Sequence, residues 1–379
     1  MIFRSRTEDS RNDGTFGLPA FQGVGRRLSR RGGPLKAAFV VRFLSLIYGL
    51  ILAAISFLNW KGPDFFWLGA LNLYLPQVFW TVPGILLTLL SLKVDRSWRW
   101  IPILCILWVL GPIMGFCWSP DRPEPAPGDA TLRIMTWNIK YKAPKSTILL
   151  DEITRCSPDV VLFQDAYRSL RGPLGNYFRK WHVYTSEQYV IASRHPLSHL
   201  EVIELPLAGR GKQQFLRCRV YLGPRVVSLY NIHFVTPRQS LNAIKATRKR
   251  IGDLPEAGST LVRNAKIRTA QAEAVAKYLR DEPGPVILAG DLNAPDPSRV
   301  CATLREAGLH DAFAEGGKGY GYTYGHFLLK DRYPWLRVSW MRIDHIMASS
   351  GFTARRCWTG TGRASDHRPV IADLILKSL

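Results

Sequence analysis

Polar side chains with metal-binding or proton-transfer chemistry stand at the ends of apolar, β-branched runs in the C-terminal part of the chain. They are Asn138 after RIMTW, Asp165 after DVVLFQ, His233 after SLYNI, Asp291 and Asn293 after VILAG, Asp344 in RIDHIM, and Asp366 and His367 in SDHRPV. Carboxylate and amide oxygens bind Mg²⁺ or Mn²⁺. An imidazole beside a carboxylate can accept a proton from water, while amides and a further imidazole offset charge on phosphoryl oxygens. The pattern therefore indicates metal-dependent hydrolysis of a phosphoester.

Taken singly, several of these signals also have a structural alternative. Asn138 fits a strand-end cap, GDLN fits an ordinary turn, and Asp344 fits a salt-bridge partner. His345, which precedes an apolar residue within a strand, fits a structural role better than a catalytic one. The order and spacing of the whole set favour a site over these separate roles.

The runs that carry these residues predict strands, because they are rich in β-branched residues and bounded by turn formers. The predicted strands are 132–138, 160–164, 189–193, 226–233, 286–290, 343–348 and 370–376. Helical periodicity is found at 147–155 and 264–280. This mixed order predicts an α/β sandwich, in which loops at the strand ends can present polar side chains to one cleft.

The segments TWN, DVVLFQD, YVIASRHPL, NIHF, GDLN, RIDHI and SDHRPV, in this order, resemble the motifs of the endonuclease/exonuclease/phosphatase superfamily. The resemblance covers residues 131–379, and SDH after GDLN is its most specific pair. It implies a four-layer α/β sandwich, with two packed mixed β-sheets flanked by helices. It also implies cleavage of phosphodiesters or phosphomonoesters with a divalent metal.

The resemblance further implies a role for each site residue. The residues expected to bind Mg²⁺ or Mn²⁺, directly or through water, are Asn138, Asp165 and Asp366. His367 resembles the general base, and Asp344 resembles the residue that orients it. Asp291 would align the attacking water and Asn293 the phosphate. His233 resembles the second histidine of the pancreatic-type DNases, which assists the leaving group or offsets phosphoryl charge.

The sequence departs from the family at one metal position. The family usually has Glu after the Gln of this strand, whereas here Asp165 follows Gln164. A shorter carboxylate holds its oxygens back by about one carbon–carbon bond, so the metal must move or be reached through water.

The N-terminal part of the chain predicts a membrane anchor. Apolar stretches at 37–58, 65–92 and 98–118 are each long enough for a transmembrane helix, which needs about 20 residues. Residues 1–36 form a basic tail, predicted to be disordered, without the short apolar core and cleavage site of a removable signal peptide. The Pro-rich run 119–130 predicts a linker to the catalytic domain, 131–379.

Basic residues predict the orientation of this anchor. The N-terminal tail and the loop with Lys93, Arg96 and Arg99 are strongly basic, whereas the opposite segments carry only Lys61 and Arg122. Because basic loops stay in the cytoplasm, three spans would place the N-terminus inside and the catalytic domain outside.

The formal net charge is +22, from 51 basic and 29 acidic residues, which favours anionic partners. A basic run from 236 to 280 follows His233. Six cysteines show no metal-binding spacing. We favour a nuclease acting on extracytoplasmic nucleic acid. The alternatives are a phosphodiesterase for lipid headgroups, like the sphingomyelinases of the family, and a catalytically dead anion-binding module, against which the His367 and Asp344 pair argues.

Overall fold

The computed structural model describes residues 32–120, 122, 124–140, 147–207, 211–247, 250–325 and 338–378. The helices are α1 Gly32–Lys61, α2 Trp67–Tyr74, α3 Thr81–Val94, α4 Trp100–Trp108, α5 Thr147–Cys156, α6 Pro173–Tyr177, α7 Arg238–Ala246, α8 Leu254–Arg280, α9 Arg299–Glu306 and α10 Ala312–Gly316. Residues 1–31 of the predicted tail lie outside these ranges. Residues 32–36 belong to α1 instead of the tail.

The strands form two six-stranded sheets and one small two-stranded sheet. They are β1 Cys117–Trp118, β2 Ala130–Asn138, β3 Val160–Gln164, β4 His182–Ser186, β5 Tyr189–Ser193, β6 Leu197–Leu205, β7 Gln213–Leu222, β8 Arg225–His233, β9 Val286–Asp291, β10 Leu309–Asp311, β11 Lys318–Gly319, β12 Asp344–Ser349, β13 Phe352–Thr359 and β14 Val370–Leu376. The first sheet has the order β13-β14-β2-β3-β5-β4 and the second β10-β12-β9-β8-β7-β6. Both sheets are mixed, because β2 is parallel to β3 and β8 is parallel to β9.

Helices cover the outer faces of the two large sheets. Between the sheets lies an apolar core that includes Ile134, Leu162 and Leu229. On the outer face of the first sheet, α5 and α6 pack around Trp137. On the outer face of the second, α8 and α9 pack around Leu288. This arrangement confirms the predicted α/β sandwich.

A buried polar contact joins the two sheets beneath one end. Gln164 Nε2 donates hydrogen bonds to Asn231 Oδ1 at 2.7 Å and to Thr136 Oγ1 at 3.0 Å. Asn231 Nδ2 in turn donates to the carbonyl oxygen of Phe163 at 3.1 Å. Hydrogen bonds between buried amides fix one relative position of the elements that carry them. The ends of β3 and β8 are therefore held together.

The N-terminal helices α1, α3 and α4 pack as a bundle. Its buried side chains include Tyr48, Leu87 and Val109. Five residues of π-helix, Val109–Ile113, extend α4. At one end of the bundle Arg42 Nε donates to Asp95 Oδ2 at 2.7 Å.

The structure corrects the predicted number of long spans. In the described part of the chain, two helices are long and apolar enough to cross a membrane, Lys36–Lys61 and Gln77–Val94. The predicted span 65–92 is broken because Pro76 restricts Leu75 to an extended conformation, with ψ 149°. In the predicted span 98–118, the α- and π-helical part 100–113 is about 21 Å long, shorter than a hydrocarbon core of about 30 Å. Its last residues form strand β1, which pairs with β11.

Helix α2, which falls within the broken span, packs away from the bundle. Its buried residues Ala70, Leu73 and Tyr74 contact Leu261 of α8 and Met341. The connection between α1 and α3 therefore belongs to the core of the C-terminal domain.

Candidate active site

The two sheets bring the predicted site residues to one shared edge. Asn138 ends β2 and Asp165 directly follows β3 in the first sheet. In the second sheet, His233 ends β8 opposite Asp291 of β9, and Asp344 begins β12 opposite the same residue. Asn138 Nδ2 donates to Asp291 Oδ2 at 3.0 Å across the gap between the sheets. Residues that are far apart in sequence therefore form one site.

His367 and Asp344 form a buried pair. Nδ1 of His367 lies 3.1 Å and 2.9 Å from the two carboxylate oxygens of Asp344. Because a carboxylate only accepts hydrogen bonds, Nδ1 is the protonated nitrogen. Nε2 lies 3.7 Å from Asp291 Oδ2. The pair therefore has the arrangement of an oriented base, with Nε2 free to exchange a proton.

The charges around His367 favour its protonated form. Burial alone would lower the pKa of the imidazole, but the negative charges of Asp344 and Asp291 outweigh it and raise the pKa to about 9. The neutral form, which can accept a proton, therefore gains population as the pH rises through this value.

Asp291 lies at the centre of the site and is fully buried. Its Oδ1 accepts a hydrogen bond from the Asn293 backbone at 2.8 Å, and its Oδ2 lies 3.6 Å from His233 Nε2. Burial raises the pKa of this carboxyl and the charge of Asp344 adds to the effect, while His367 and His233 oppose it. The ligand atoms of Asp291, Asp344 and His367 all lie within 4.8 Å of one another.

Asp165 is a buried carboxylate in a left-handed backbone conformation, with φ 49°. Asp tolerates this conformation better than most residues do. Among the described residues, no donor forms a hydrogen bond with its carboxylate. Lys140 Nζ lies 3.9 Å and His233 Nδ1 3.8 Å from its carboxylate oxygens. A buried carboxylate without donors fits a position beside a metal cation.

The predicted metal residues lie on neighbouring segments of the chain, because Asn138 pairs with Gln164, the residue before Asp165. Ser365 Oγ donates to the carbonyl oxygen of Asn138 at 2.7 Å, which brings the next residue, Asp366, to the end of β2. The side chain of Asp366 is 22% exposed. An amide oxygen with two carboxylates is a donor set that fits Mg²⁺ or Mn²⁺. Metal binding by Asn138, Asp165 and Asp366 stays a prediction.

Asn293 and His233 have additional partners inside the protein. Asn293 has φ 49°, and its Nδ2 donates to the carbonyl oxygen of Phe234 at 2.9 Å. His233 Nδ1 lies 2.6 Å from Oε1 of Gln188. The roles of Asn293 toward phosphate and of His233 toward the leaving group stay predictions.

Several residues near the site belong to none of the sequence motifs. Tyr324 packs its ring 4.8 Å from that of His367, and Lys140 and Gln188 reach Asp165 and His233. They lie in loops, where sequence patterns are least informative. Arg238 belongs to the predicted basic run, and its Nη2 lies 4.0 Å from Asp366 Oδ2.

The basic residues of this run differ in their exposure to solvent. Its residues exposed on α7, α8 and the connection between them are Arg238, Lys245, Arg250, Arg263, Lys266, Lys277 and Arg280. Arg268 is only 2% exposed and therefore does not belong to a solvated face. Arg248 and Lys249 lie outside the described residues.

His345 belongs to a second buried network behind the site. Its Nδ1 lies 3.1 Å from Asp311 Oδ2 and its Nε2 lies 3.2 Å from the carbonyl oxygen of Ala294. Both partners are acceptors, so both ring nitrogens carry protons. Arg342 Nη1 also donates to Asp311, at 2.7 Å. The ligand atoms of Asp296, Cys301 and His345 lie close enough for a metal, but a doubly protonated ring has no lone pair to offer.

The charge of His345 agrees with these contacts. Burial alone would lower its pKa, but the interaction with Cys301 and the hydrogen bond to Asp311 outweigh the effect and raise the pKa to about 10. This histidine is a structural cation that holds the segment after Asn293, as its place in the strand indicated.

Two packed mixed sheets flanked by helices, with carboxylates, amides and histidines at one shared edge, form a phosphoesterase fold. The chain belongs to the endonuclease/exonuclease/phosphatase family, whose model matches residues 135–367. No curated protein sequence matches the chain significantly.

The chain is similar to several solved structures at low sequence identity. An endonuclease/exonuclease/phosphatase from Beutenbergia cavernae DSM 12333 is 20% identical, with a TM-score of 0.46, over 66% of this chain and 72% of that chain. Truncated Caenorhabditis elegans TDP2 is 19% identical, with a TM-score of 0.47, over 64% and 97%. A family member from Bacteroides vulgatus is 16% identical, with a TM-score of 0.49, over 65% and 100%. The family assignment rests on the family match and not on these structures.

The raised pKa of His345 predicts a pH-dependent stability. Its pKa is about 10 in the folded chain against 6.5 as the ordinary value, so its contribution is complete below pH 6.5 and is lost as the pH rises through 10. We expect the melting temperature of the wild type to fall over this range more than that of His345→Gln. The exposed His182→Gln serves as the control. Parallel pH curves for the wild type and His345→Gln would contradict a buried imidazolium.

Proposed function

We propose that the chain is a membrane-anchored, metal-dependent phosphodiesterase in which His367 is the general base. The observation that carries this proposal is the buried His367–Asp344 pair, with Nε2 of His367 facing the Asp291 carboxylate. A binding module without activity has no need of an oriented imidazole. The pair therefore argues for catalysis.

Each residue of the site has a separate role in the hydrolysis. Asp344 holds the Nδ1 proton of His367, which leaves Nε2 to take a proton from the attacking water. Asp291, 3.7 Å from Nε2, accepts a second hydrogen bond from that water and aligns it. His233 donates from the other side of Asp291 toward the phosphoryl oxygens or the leaving group. When bound by Asn138, Asp165 and Asp366, a Mg²⁺ or Mn²⁺ ion would offset phosphoryl charge and favour the neutral form of His367.

The first candidate substrate is nucleic acid outside the cytoplasm. Arg238 lies beside Asp366 at the rim of the site. Exposed basic residues continue from it along α7 and α8, and Asn264 of α8 donates to the carbonyl oxygen of Thr236, at 3.2 Å. A row of cations next to the site can hold the phosphates of a polyanion. The net charge of +22 supports the same preference.

The second candidate substrate is a lipid headgroup phosphodiester, because the site lies close to the bundle. Tyr322 donates to the carbonyl oxygen of Met114 at 2.9 Å, and Tyr324, two residues on, packs against His367. Two residues of extended chain span about 7 Å. A bundle inserted in a bilayer would thus hold the base near the headgroups.

The bundle of α1, α3 and α4 is proposed as the membrane anchor. Large apolar side chains such as Phe39, Leu50 and Leu86 lie on its surface, each more than half exposed. Trp60 and Trp118 are largely exposed at the end that meets the domain, where aromatic residues favour the lipid–water interface. Since α2 and the end of α4 contact the C-terminal domain, both belong on the same side of the bilayer as that domain. Helix α4, whose helical part is about 21 Å long, completes the third crossing together with the residues that flank it.

The first test concerns the catalytic pair. The full-length protein is incubated with Mg²⁺ or Mn²⁺ and, separately, with DNA, RNA, phospholipids and inositol phosphates. His367→Ala should lower kcat on the substrate that is turned over by about 10²-fold to 10⁴-fold, because the general base is lost. Asp344→Asn should also be strongly impaired, because an amide favours the wrong tautomer of the imidazole.

The double variant separates a pair from two independent residues. Groups that act as one unit share a single contribution, so the combined loss should be close to that of His367→Ala alone. Additive losses would mean separate roles for the two residues. No turnover of any substrate by the wild type would refute the proposed function itself.

Asp165 provides a second test. Asp165→Ala should abolish metal-dependent turnover, because a buried metal oxygen is removed. Asp165→Glu should retain or improve turnover, because it restores the longer side chain usual at this position. Full activity of the alanine variant would exclude Asp165 from the site.

The topology of the anchor gives a third test. Lys93, Arg96 and Arg99 lie in or beside the connection between α3 and α4, at the end away from the domain. A reporter fused after Leu379 should therefore be accessible outside the cytoplasm. Protection of the fused reporter from protease added to spheroplasts would place the domain inside and overturn this orientation.

A further inference from the structure

Helix α2, which lies between the proposed first and second crossings, is built into the wall of the catalytic site. Trp67 packs directly on Gly258 of α8, where an added Cβ would come within 2.8 Å of the Trp67 Cβ. Ala70, Leu73 and Tyr74 share a buried cluster with Leu261. The contact is therefore close-packed along the length of α2.

Tyr74 at the end of α2 reaches the loop that follows the catalytic strand β9. Its hydroxyl donates to the carbonyl oxygen of Asn293 at 3.0 Å and accepts from Arg268 Nη2 at 2.8 Å. Its backbone oxygen accepts from Trp340 Nε1 at 3.1 Å. Burial raises the pKa of the phenol, although Arg268 opposes the effect, so the hydroxyl keeps the proton that it donates.

Arg268 is a buried cation without an acidic partner in the described part of the chain. Besides Tyr74, it donates to the carbonyl oxygen of Val235 at 3.4 Å and to Asn264. Burying a charge without a counter-ion is costly. Its guanidinium therefore polarises the Tyr74 hydroxyl and strengthens the bond that this hydroxyl donates to Asn293.

The contact continues from Asn293 to the catalytic carboxylate. The Asn293 backbone N–H donates to Asp291 Oδ1 at 2.8 Å, while Asp291 Oδ2 faces Nε2 of His367. Asn293 itself has φ 49°, a left-handed conformation that Asn adopts more readily than most residues do. Tyr74 holds the oxygen of the same residue whose N–H orients Asp291.

We propose that Tyr74 is a positioning residue for catalysis, so that the segment between two membrane crossings completes the active site of the domain. This inference rests on the proposed function. It means that the N-terminal segment contributes to turnover as well as holding the domain at the membrane. The domain from residue 131 onward therefore lacks part of its own site.

Tyr74→Phe tests this role in the full-length chain in detergent, because it removes only the hydroxyl. The matched control is Tyr320→Phe, which also removes only a hydroxyl. The Tyr320 hydroxyl joins the domain to the bundle by donating to the carbonyl oxygen of Leu110 at 3.0 Å. Turnover of bis(p-nitrophenyl) phosphate with Mn²⁺ is measured for both, together with the melting temperature. This soluble phosphodiester makes the result independent of the natural substrate.

For Tyr74→Phe we expect kcat to fall by about 10-fold to 100-fold with KM and the melting temperature close to those of the wild type, as for other residues that orient a catalytic group. Tyr320→Phe should keep the kcat of the wild type. Unchanged kcat in Tyr74→Phe, a loss seen only in KM, a loss explained by a lower melting temperature, or an equal loss in Tyr320→Phe would each overturn the inference. Absence of turnover by the wild type would instead refute the proposed function, and the inference with it.

Discussion

Asp291 and Asp344 are opposite one another on paired strands and are buried together. Two neighbouring carboxylates repel each other where water is largely excluded. The two charges can be buried side by side only because cationic and hydrogen-bonding groups surround them. His367 lies between them, His233 faces Asp291, and the Asn138 side chain and Asn293 backbone donate to Asp291. The same charges that make the carboxylates costly to bury raise the pKa of His367 and orient its free nitrogen.

The loop after β9 is held from two sides. Behind it, protonated His345 bonds the carbonyl oxygen of Ala294 and is itself held by Asp311, which Arg342 also binds. In front of it, Tyr74 bonds the carbonyl oxygen of Asn293. Neither contact reaches the reacting atoms. Both limit the movement of the loop that contains Asn293, and the Asp291 carboxylate accepts a hydrogen bond from that loop.

The bundle and the sandwich are not independent parts joined by a linker. Helix α2 and the end of α4 each contact the domain, through Tyr74 and through the bonds from Tyr320 and Tyr322. Residues 119–129 form neither helix nor strand where they are described, but they are only one of several connections. As the proposed membrane anchor, a bundle that contacts the domain at several points would fix the distance and the direction of the site relative to the bilayer. A flexible tether would fix only the maximum distance.

The sequence alone determined the class of fold and the set of polar residues at the strand ends. Strands such as β3, β5 and β14 were predicted with their observed bounds, because β-branched runs bounded by turn formers depend on local preferences. Strands β6 and β7 were missed, since polar residues interrupt their apolar runs and the burial of β6 does not alternate. The motif residues around Asp291 and His367 were found because their types and order match the motifs of the family.

Only the tertiary structure decided which of these residues touch and what supports them. Pro76 was visible in the sequence, but the destination of α2 depends on packing against α8, almost 200 residues later in the chain. The charge of His345 depends on an acceptor at each ring nitrogen, and the burial of Arg268 depends on the groups around it. Contacts of this kind are set by packing between distant segments. A local pattern of residues therefore does not predict these contacts. It does predict the strands and the polar residues at the strand ends.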